Sequence, residues 1–212
     1  MSPRRPAAGR TGKVRLAPAR ARAAKAGVPR RRRPPLTVVR GEAHAAHAGA
    51  PRPVQCAIIT VSDTRRGSSD LSGALAHELL ERAGHEVVRR AWVHDEVAAI
   101  RRTVRLVLRV DAVDVVLITG GTGMAARDVT PEALVPMFER ELPGFGEAFR
   151  ARSAAQVGAA SWFSRATAGV ARGRLVVLLP GSTAAVGLAL RELLLPELVH
   201  AVRLLGRFDT GD

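Results

Sequence analysis

Beyond residue 52 the chain has no lysine. A phosphate loop of the GxxxxGK-S/T type requires one, so that class of nucleotide site is excluded. GxGxxG is missing as well, which disfavours dinucleotide binding. The one cysteine, Cys56, cannot form an intrachain disulfide, and at the start of an apolar strand it reads as a core residue. No apolar run approaches the ~20 residues that span a bilayer. The histidines form no ligand set: His94 reads as an exposed neighbour of Asp95, and His77 as a helix-surface residue. No Ser/His/Asp order marks a hydrolase. This composition fits a cytoplasmic protein with no membrane partner.

Acidic residues are scarce only at one end. Residues 1–52 hold 14 of the 33 Lys and Arg and a single acid, Glu42, whereas the remaining 160 residues carry 19 arginines against 18 acids. The net charge of +14 is therefore a property of the first segment. That segment, rich in Arg, Pro, Ala and Gly, has little apolar material to offset the entropy of ordering, so it is expected to be a disordered tail preceding a domain over 53–212. A solvated extension, or translated sequence upstream of the true start, is favoured over a nucleic-acid-binding arm. Arginines interrupt every apolar run before residue 53, which argues against a secretory signal.

The body alternates strands and helices. Cys56–Val61 reads as a buried strand ending in Ser62-Asp63. A helix over about 72–83 follows, stopped by Gly84. His85–Val93 is a second strand ending in His94-Asp95, with Asp95 placed to cap a helix running to about Val110. Val115–Ile118 is a third, ending in Thr119-Gly120-Gly121-Thr122-Gly123. Thr130-Pro131 has the form of a helix start, with Thr at the cap and Pro at the first position. Residues 161–170 are ambiguous. Leu175–Leu179 is a fourth strand, ending in Pro180-Gly181-Ser182, and an apolar helix over about 183–205 carries a break at Pro196. This order predicts an α/β fold with a mostly parallel central sheet covered on both faces.

In such a sheet, ligands bind beyond the carboxyl ends of the strands. All four predicted strands end there in polar or glycine motifs, so Ser62, Asp63, Asp95, Thr119–Gly123 and Pro180–Ser182 are expected along one edge. Glycines let the backbone approach a ligand closely, and a strand–glycine loop–helix order suits phosphate. Asp128 lies within reach of anything the loop holds, and a carboxylate beside a polyphosphate commonly holds Mg²⁺, which Asp95 can share. Arg127 and Arg165 have the fork geometry for phosphate, with surface arginine the alternative for both. Ser62 and Ser182 bond either phosphate or their own loops.

Thr60-Val61-Ser62-Asp63, Asp70-Leu71-Ser72-Gly73, Leu117–Gly123, Arg127–Ala133, Pro143–Glu147, Ser164-Arg165-Ala166 and Leu179–Ser182 together resemble the MoaB/Mog family of molybdenum-cofactor biosynthesis. The resemblance runs over about residues 54–206 and leaves out the basic segment. It implies a three-layer α/β/α fold, usually a homotrimer, and adenylylation of molybdopterin by ATP with Mg²⁺, releasing pyrophosphate. It also implies that the family's two functional aspartates fall on Asp95 and Asp128 as catalytic and metal-binding residues. Ser62, Asp63, Ser72, Thr119, Gly120, Gly121, Thr122, Gly123, Arg165, Pro180, Gly181 and Ser182 then bind substrates. Met124-Ala125-Ala126 departs from the family pattern. A molybdopterin-binding scaffold of low activity, and a hydrolase on a similar domain, stand as alternatives; the absence of a His/Lys base cluster counts against the second.

Overall fold

The structure, a computed structural model, describes residues 52–208. The expectations for residues 1–51 lie outside the described residues. Along the chain run β1 (Gln55–Val61), α1 (Leu71–Arg82), β2 (Glu86–Val93), α2 (Val97–Val107), β3 (Val115–Thr119), α3 (Thr130–Leu134), β4 (Arg140–Glu141), α4 (Pro143–Val157), β5 (Thr167–Ala171), β6 (Arg174–Leu179), α5 (Thr183–Ala189) and α6 (Leu198–Leu204). The strands form one sheet in the order β2-β1-β3-β6-β5-β4. Its first four strands are parallel, while β5 runs antiparallel to both β6 and β4.

The strands β1, β3 and β6 are buried on both faces because both are covered, whereas β2 and β4 at the edges carry exposed charged residues. Along β1, Cys56 and Ile58 point into one core with Ala76 and Leu80 of α1, Phe149 of α4, Val186 of α5 and Val202 of α6. Ala57, Ile59 and Val61 point into the other, with Ile100, Val104 and Val107 of α2 and Ala133 and Leu134 of α3. That alternation, read through the period of two along a strand, gives three layers with helices on either side of the sheet.

The ambiguous stretch resolves into a 3₁₀ segment, Gly158–Phe163, followed by β5. The small residues Thr167-Ala168-Gly169 hid a strand, and at Gly169 the Phe138 ring leaves no room for a side chain. A Cβ on Gly169 would come within 2.3 Å of that ring. The predicted caps also shift. Helix α2 starts after Glu96, so Asp95 does not cap it, and α3 has Val129 at its cap with Thr130 already inside the helix. The long C-terminal helix divides into α5, a π-helical turn at Leu190–Leu194 and α6, with the break around Pro196 that proline's missing N–H favours.

At the amino ends of the strands, Asp114 is fully buried. It accepts from Arg52 (2.6 and 2.9 Å), from Arg207 Nε (3.1 Å) and from the Gln55 amide (3.0 Å). Burial pushes its pKa up, but these donors hold it below the ordinary carboxylate value. The cluster ties both ends of the described chain to the start of β3, opposite the site below.

Candidate functional site

Strand register sets the site. Thr60 of β1 is level with Trp92 of β2 and Thr119 of β3, and Thr119 is level with Leu179 of β6. The four parallel strands therefore release their following loops at one height. Those loops enclose an open cavity of about 430 Å³ lined by Ser62, Asp63, Asp95, Gly120–Gly123, Arg127, Asp128 and Pro180–Ser182, together with Val61, Thr64 and Arg65. The volume is that of a small-ligand site.

The glycine loop is shaped by what presses on it. Gly120 has φ +102 and lies under the Val61 carbonyl, which a Cβ would meet at 2.2 Å. Gly121 has φ +64, and a Cβ there would meet Thr130 Oγ1 at 2.3 Å and Asp95 Oδ1 at 2.7 Å. A Cβ on Gly123 would meet Asp128 Oδ2 at 2.6 Å. Gly120 and Gly121 combine a positive φ with these contacts and so require glycine, whereas at Gly123 a side chain would press only on the Asp128 carboxylate. Two carboxylates thus lie against the loop, Asp95 at Gly121 and Asp128 at Gly123. The Thr130 hydroxyl donates to the Gly120 carbonyl at 2.9 Å and fastens the loop to α3. Among the described residues the amides of Gly121, Thr122 and Gly123 donate to no protein acceptor, and the buried Thr119 and Thr122 hydroxyls have no partner. Unspent amides in a tight loop are the groups from which anion-binding concavities are built.

The aspartates are held differently. Asp95 Oδ1 accepts the Val129 amide at 3.3 Å. Burial raises the Asp95 pKa above its usual value, and the facing charges of Asp128 and Asp63 add to that rise. Asp128 closes a tight turn, its Oδ2 accepting the Ala125 amide at 2.9 Å. Asp63, on the rim, accepts from His94 Nδ1 at 3.1 Å and from the Asp95 amide at 3.3 Å, and these bonds lower its pKa. His94, expected to be a bystander, therefore joins the β1 and β2 loops.

The other expected residues divide. The Ser62 hydroxyl accepts from the Arg65 amide at 3.0 Å and Ser182 accepts from the Ala185 amide at 3.2 Å, so both shape their own loops at the cavity wall. Gly181 packs on Gly120, where a Cβ would lie 3.3 Å from the Gly120 Cα. Thr119 is fully buried at the base of the loop, outside the cavity lining. Ser72 lies in an adjoining hollow of about 280 Å³, lined with Arg65, Ser69, Leu71, Ser182 and Thr183. Arg165 spends its donors on the loop itself: Nε on the Gly123 carbonyl at 2.9 Å, and its terminal nitrogens on the Asp128 carbonyl and Glu132.

Sequence reasoning missed Asp70. It is 1% exposed and gathers Thr60 Oγ1 (2.8 Å), the Gly73 amide (2.9 Å), Arg90 (3.1 Å), Trp92 Nε1 (3.1 Å) and Ser72 Oγ (3.2 Å). One carboxylate thereby caps α1 and joins the ends of β1 and β2, which carry Asp63 and Asp95. Its place just before Ser72-Gly73, at the start of a helical pattern, was the available signal.

The donor chemistry suits Mg²⁺. Among the described residues no cluster of three or more His, Cys, Asp and Glu could hold a metal ion. Two hard carboxylates beside a phosphate cradle are instead the arrangement Mg²⁺ uses when phosphate oxygens and water complete its octahedron. Burial first, and then the facing charges of Asp128 and Asp63, raise the Asp95 pKa, and a cation there would relieve the second of these.

Comparison with known proteins places this geometry. A family model described as "Probable molybdopterin binding domain" matches residues 57–200. Molybdenum cofactor biosynthesis protein B of Bacillus subtilis is 49% identical over 155 residues, covering 73% of this chain and 91% of that protein. A crystal structure of a molybdenum cofactor biosynthesis protein B superposes with a TM-score of 0.72 at 44% identity, covering 75% of this chain and 99% of that one. The tungsten cofactor synthesizing protein MoaB of Pyrococcus furiosus gives 0.64 at 39%, covering 74% and 99%. Across the same span that carries the four strand-end loops, then, the chain belongs to the MoaB/Mog family of molybdenum cofactor biosynthesis proteins.

Proposed function

We propose that this chain adenylylates molybdopterin, using ATP and Mg²⁺ and releasing pyrophosphate. The observation that carries the reading is the pair of carboxylates, Asp95 and Asp128, set against a glycine loop that lines an open cavity and has amides unpaired among the described residues. An oxygen of the terminal phosphate of molybdopterin attacks the α-phosphorus of ATP. The new P–O bond forms as the bond to the β-phosphate oxygen breaks, and the electron pair leaves with pyrophosphate. The attacking oxygen is already anionic, so no general base is required. Such a transfer asks mainly for alignment and charge neutralisation. The amides of Gly121–Gly123 grip phosphate oxygens, and the unpartnered Thr122 hydroxyl offers one more donor. Asp95 and Asp128 would hold Mg²⁺, which supplies Lewis-acid stabilisation of the phosphate oxygens when bound.

The same reading implies a homotrimer in the cytoplasm; sedimentation at three times the 22.5 kDa chain mass checks the first part. No helix among the described residues is long and apolar enough to cross a membrane. The decisive experiment incubates the chain with molybdopterin, ATP and Mg²⁺ and measures pyrophosphate and the adenylylated pterin. Stoichiometric formation of both supports the reading. Molybdopterin binding without turnover indicates a scaffold, and release of inorganic phosphate indicates a hydrolase.

A further inference from the structure

The arginines around the cavity are not equivalent. Arg65 donates to the Gly181 carbonyl at 3.0 Å, Arg66 meets His94 Nε2, and Arg165 is spent on the Gly123 and Asp128 carbonyls and on Glu132. Arg127 alone among these lines the cavity with no hydrogen bond or ion pair to any described residue. What it does feel is the field of Asp63 and Asp95. Its backbone is nevertheless fixed. The Asp128 amide donates to the Ala125 carbonyl at 2.8 Å, while Asp128 Oδ2 accepts the Ala125 amide at 2.9 Å, so a closed turn presents the side chain.

The charge inventory gives this exposed guanidinium a task. The cavity wall carries Asp63, Asp95 and Asp128 against Arg65 and Arg127. A polyphosphate entering there meets net negative walls. A cation held by Asp95 and Asp128 would offset charge next to the glycine loop, but the departing pyrophosphate gathers further charge as its bond to the α-phosphorus breaks. A fork of N–H donors not already bonded to protein is suited to two oxygens of such a group. The geometry points to Arg127 as a catalytic residue that binds the β- and γ-phosphates of ATP and stabilises pyrophosphate as it leaves. This rests on the adenylyl-transfer reading and assigns the leaving-group contact within it.

The test is calorimetric binding, with Mg²⁺ present, of inorganic pyrophosphate, ATP and AMP to the wild-type chain, Arg127→Gln and Arg127→Lys. Arg127 is exposed, so equal melting temperatures are expected and verify folding. Arg127→Gln is expected to bind pyrophosphate and ATP about tenfold or more weakly, the loss of a charge-assisted hydrogen bond, with AMP affinity unchanged. Arg127→Lys falls between, since it keeps the charge without the fork. Wild-type binding of pyrophosphate and ATP that survives in Arg127→Gln overturns this inference alone, as does an equal loss for AMP. A wild-type chain that binds none of the three overturns the nucleotide reading and this inference with it.

Discussion

The carboxylate of Asp95 rests on the backbone of Gly121, so close that a methyl group there would lie 2.7 Å from Oδ1. Backbone conformation and the position of the carboxylate are therefore coupled at one residue. In Gly121→Ala the residue keeps a φ of +64 only at a cost of roughly 1–2 kcal/mol, and the new Cβ displaces Asp95 and Thr130. We expect the melting temperature to fall by about 2–8 °C. Turnover per folded molecule is expected to fall by about 10²-fold, because misplacing a reacting group by ~1 Å has that effect. Gly84→Ala is the control. Its φ is +82 with nothing within 4 Å of the added Cβ, so it should lose stability alone. Equal activity losses in the two variants would detach Gly121 from the chemistry.

Asp95 also makes stability and activity respond oppositely to one substitution. Burial, with the charges of Asp128 and Asp63, raises its pKa in the fold. A raised carboxylate favours its neutral form, so the folded chain is relatively stabilised at low pH and loses that contribution as pH rises through the raised value. Asp95→Asn removes the ionisation. Without Mg²⁺ and nucleotide, its melting temperature is expected to exceed that of the wild type by about 1–2 °C at pH 7, with the gap closing on acidification. Adenylylation is expected to fall by about 10²-fold. In the wild type, Mg²⁺ affinity is expected to decline as pH falls through the same titration, since a protonated carboxylate is no longer a ligand. A gap that is constant with pH would refute the raised pKa of Asp95.

Much of this arrangement was legible in the sequence. The runs Cys56–Val61, Val115–Ile118 and Leu175–Leu179 show uninterrupted apolar character because the sheet is covered on both faces, and their terminal motifs meet because the register is level. Asp95 was harder to read, since an aspartate before a helix is commonly a cap; its carboxylate is drawn to Gly121 and the Val129 amide instead, contacts made across strands. Strand β5 escaped notice because the packing of Phe138 demands glycine where strand propensity would favour a β-branched residue. Asp70 entered only as part of a family segment and Asp114 not at all, because burial and convergent donors arise from chain segments far apart in sequence.

Asp70 should be a stability residue with a defined pH signature. Burial raises its pKa, but the Gly73 amide, Thr60, Trp92 and Ser72 together outweigh burial and leave it below the ordinary value. A depressed carboxylate contributes stability above its unfolded pKa and loses it as pH falls through the folded value. Asp70→Ala is expected to cost about 3–5 kcal/mol at pH 7, the range for leaving buried partners unpaired, and less at pH 3. Urea denaturation at both pH values checks this. An equal cost at pH 3 and pH 7 would mean that Asp70 acts through packing and not through its charge.

Arg165 is expected to act on substrate through the loop. Its donors bind the Gly123 and Asp128 carbonyls and Glu132, bracing both ends of the turn that carries Arg127 and Asp128. The ion pair also holds the Glu132 pKa below its ordinary value. Lysine presents a point charge in place of a planar fork and cannot reproduce the three contacts. Arg165→Ala and Arg165→Lys should therefore both lose adenylylation, by about tenfold or more, in line with removal of charge-assisted bonds. The distinguishing measurement is amide hydrogen exchange over residues 121–129 in the ligand-free chain. Faster exchange in both variants is expected, because the loop loses its brace before any substrate arrives. Unchanged exchange with the same loss of activity would instead make Arg165 a direct phosphate ligand.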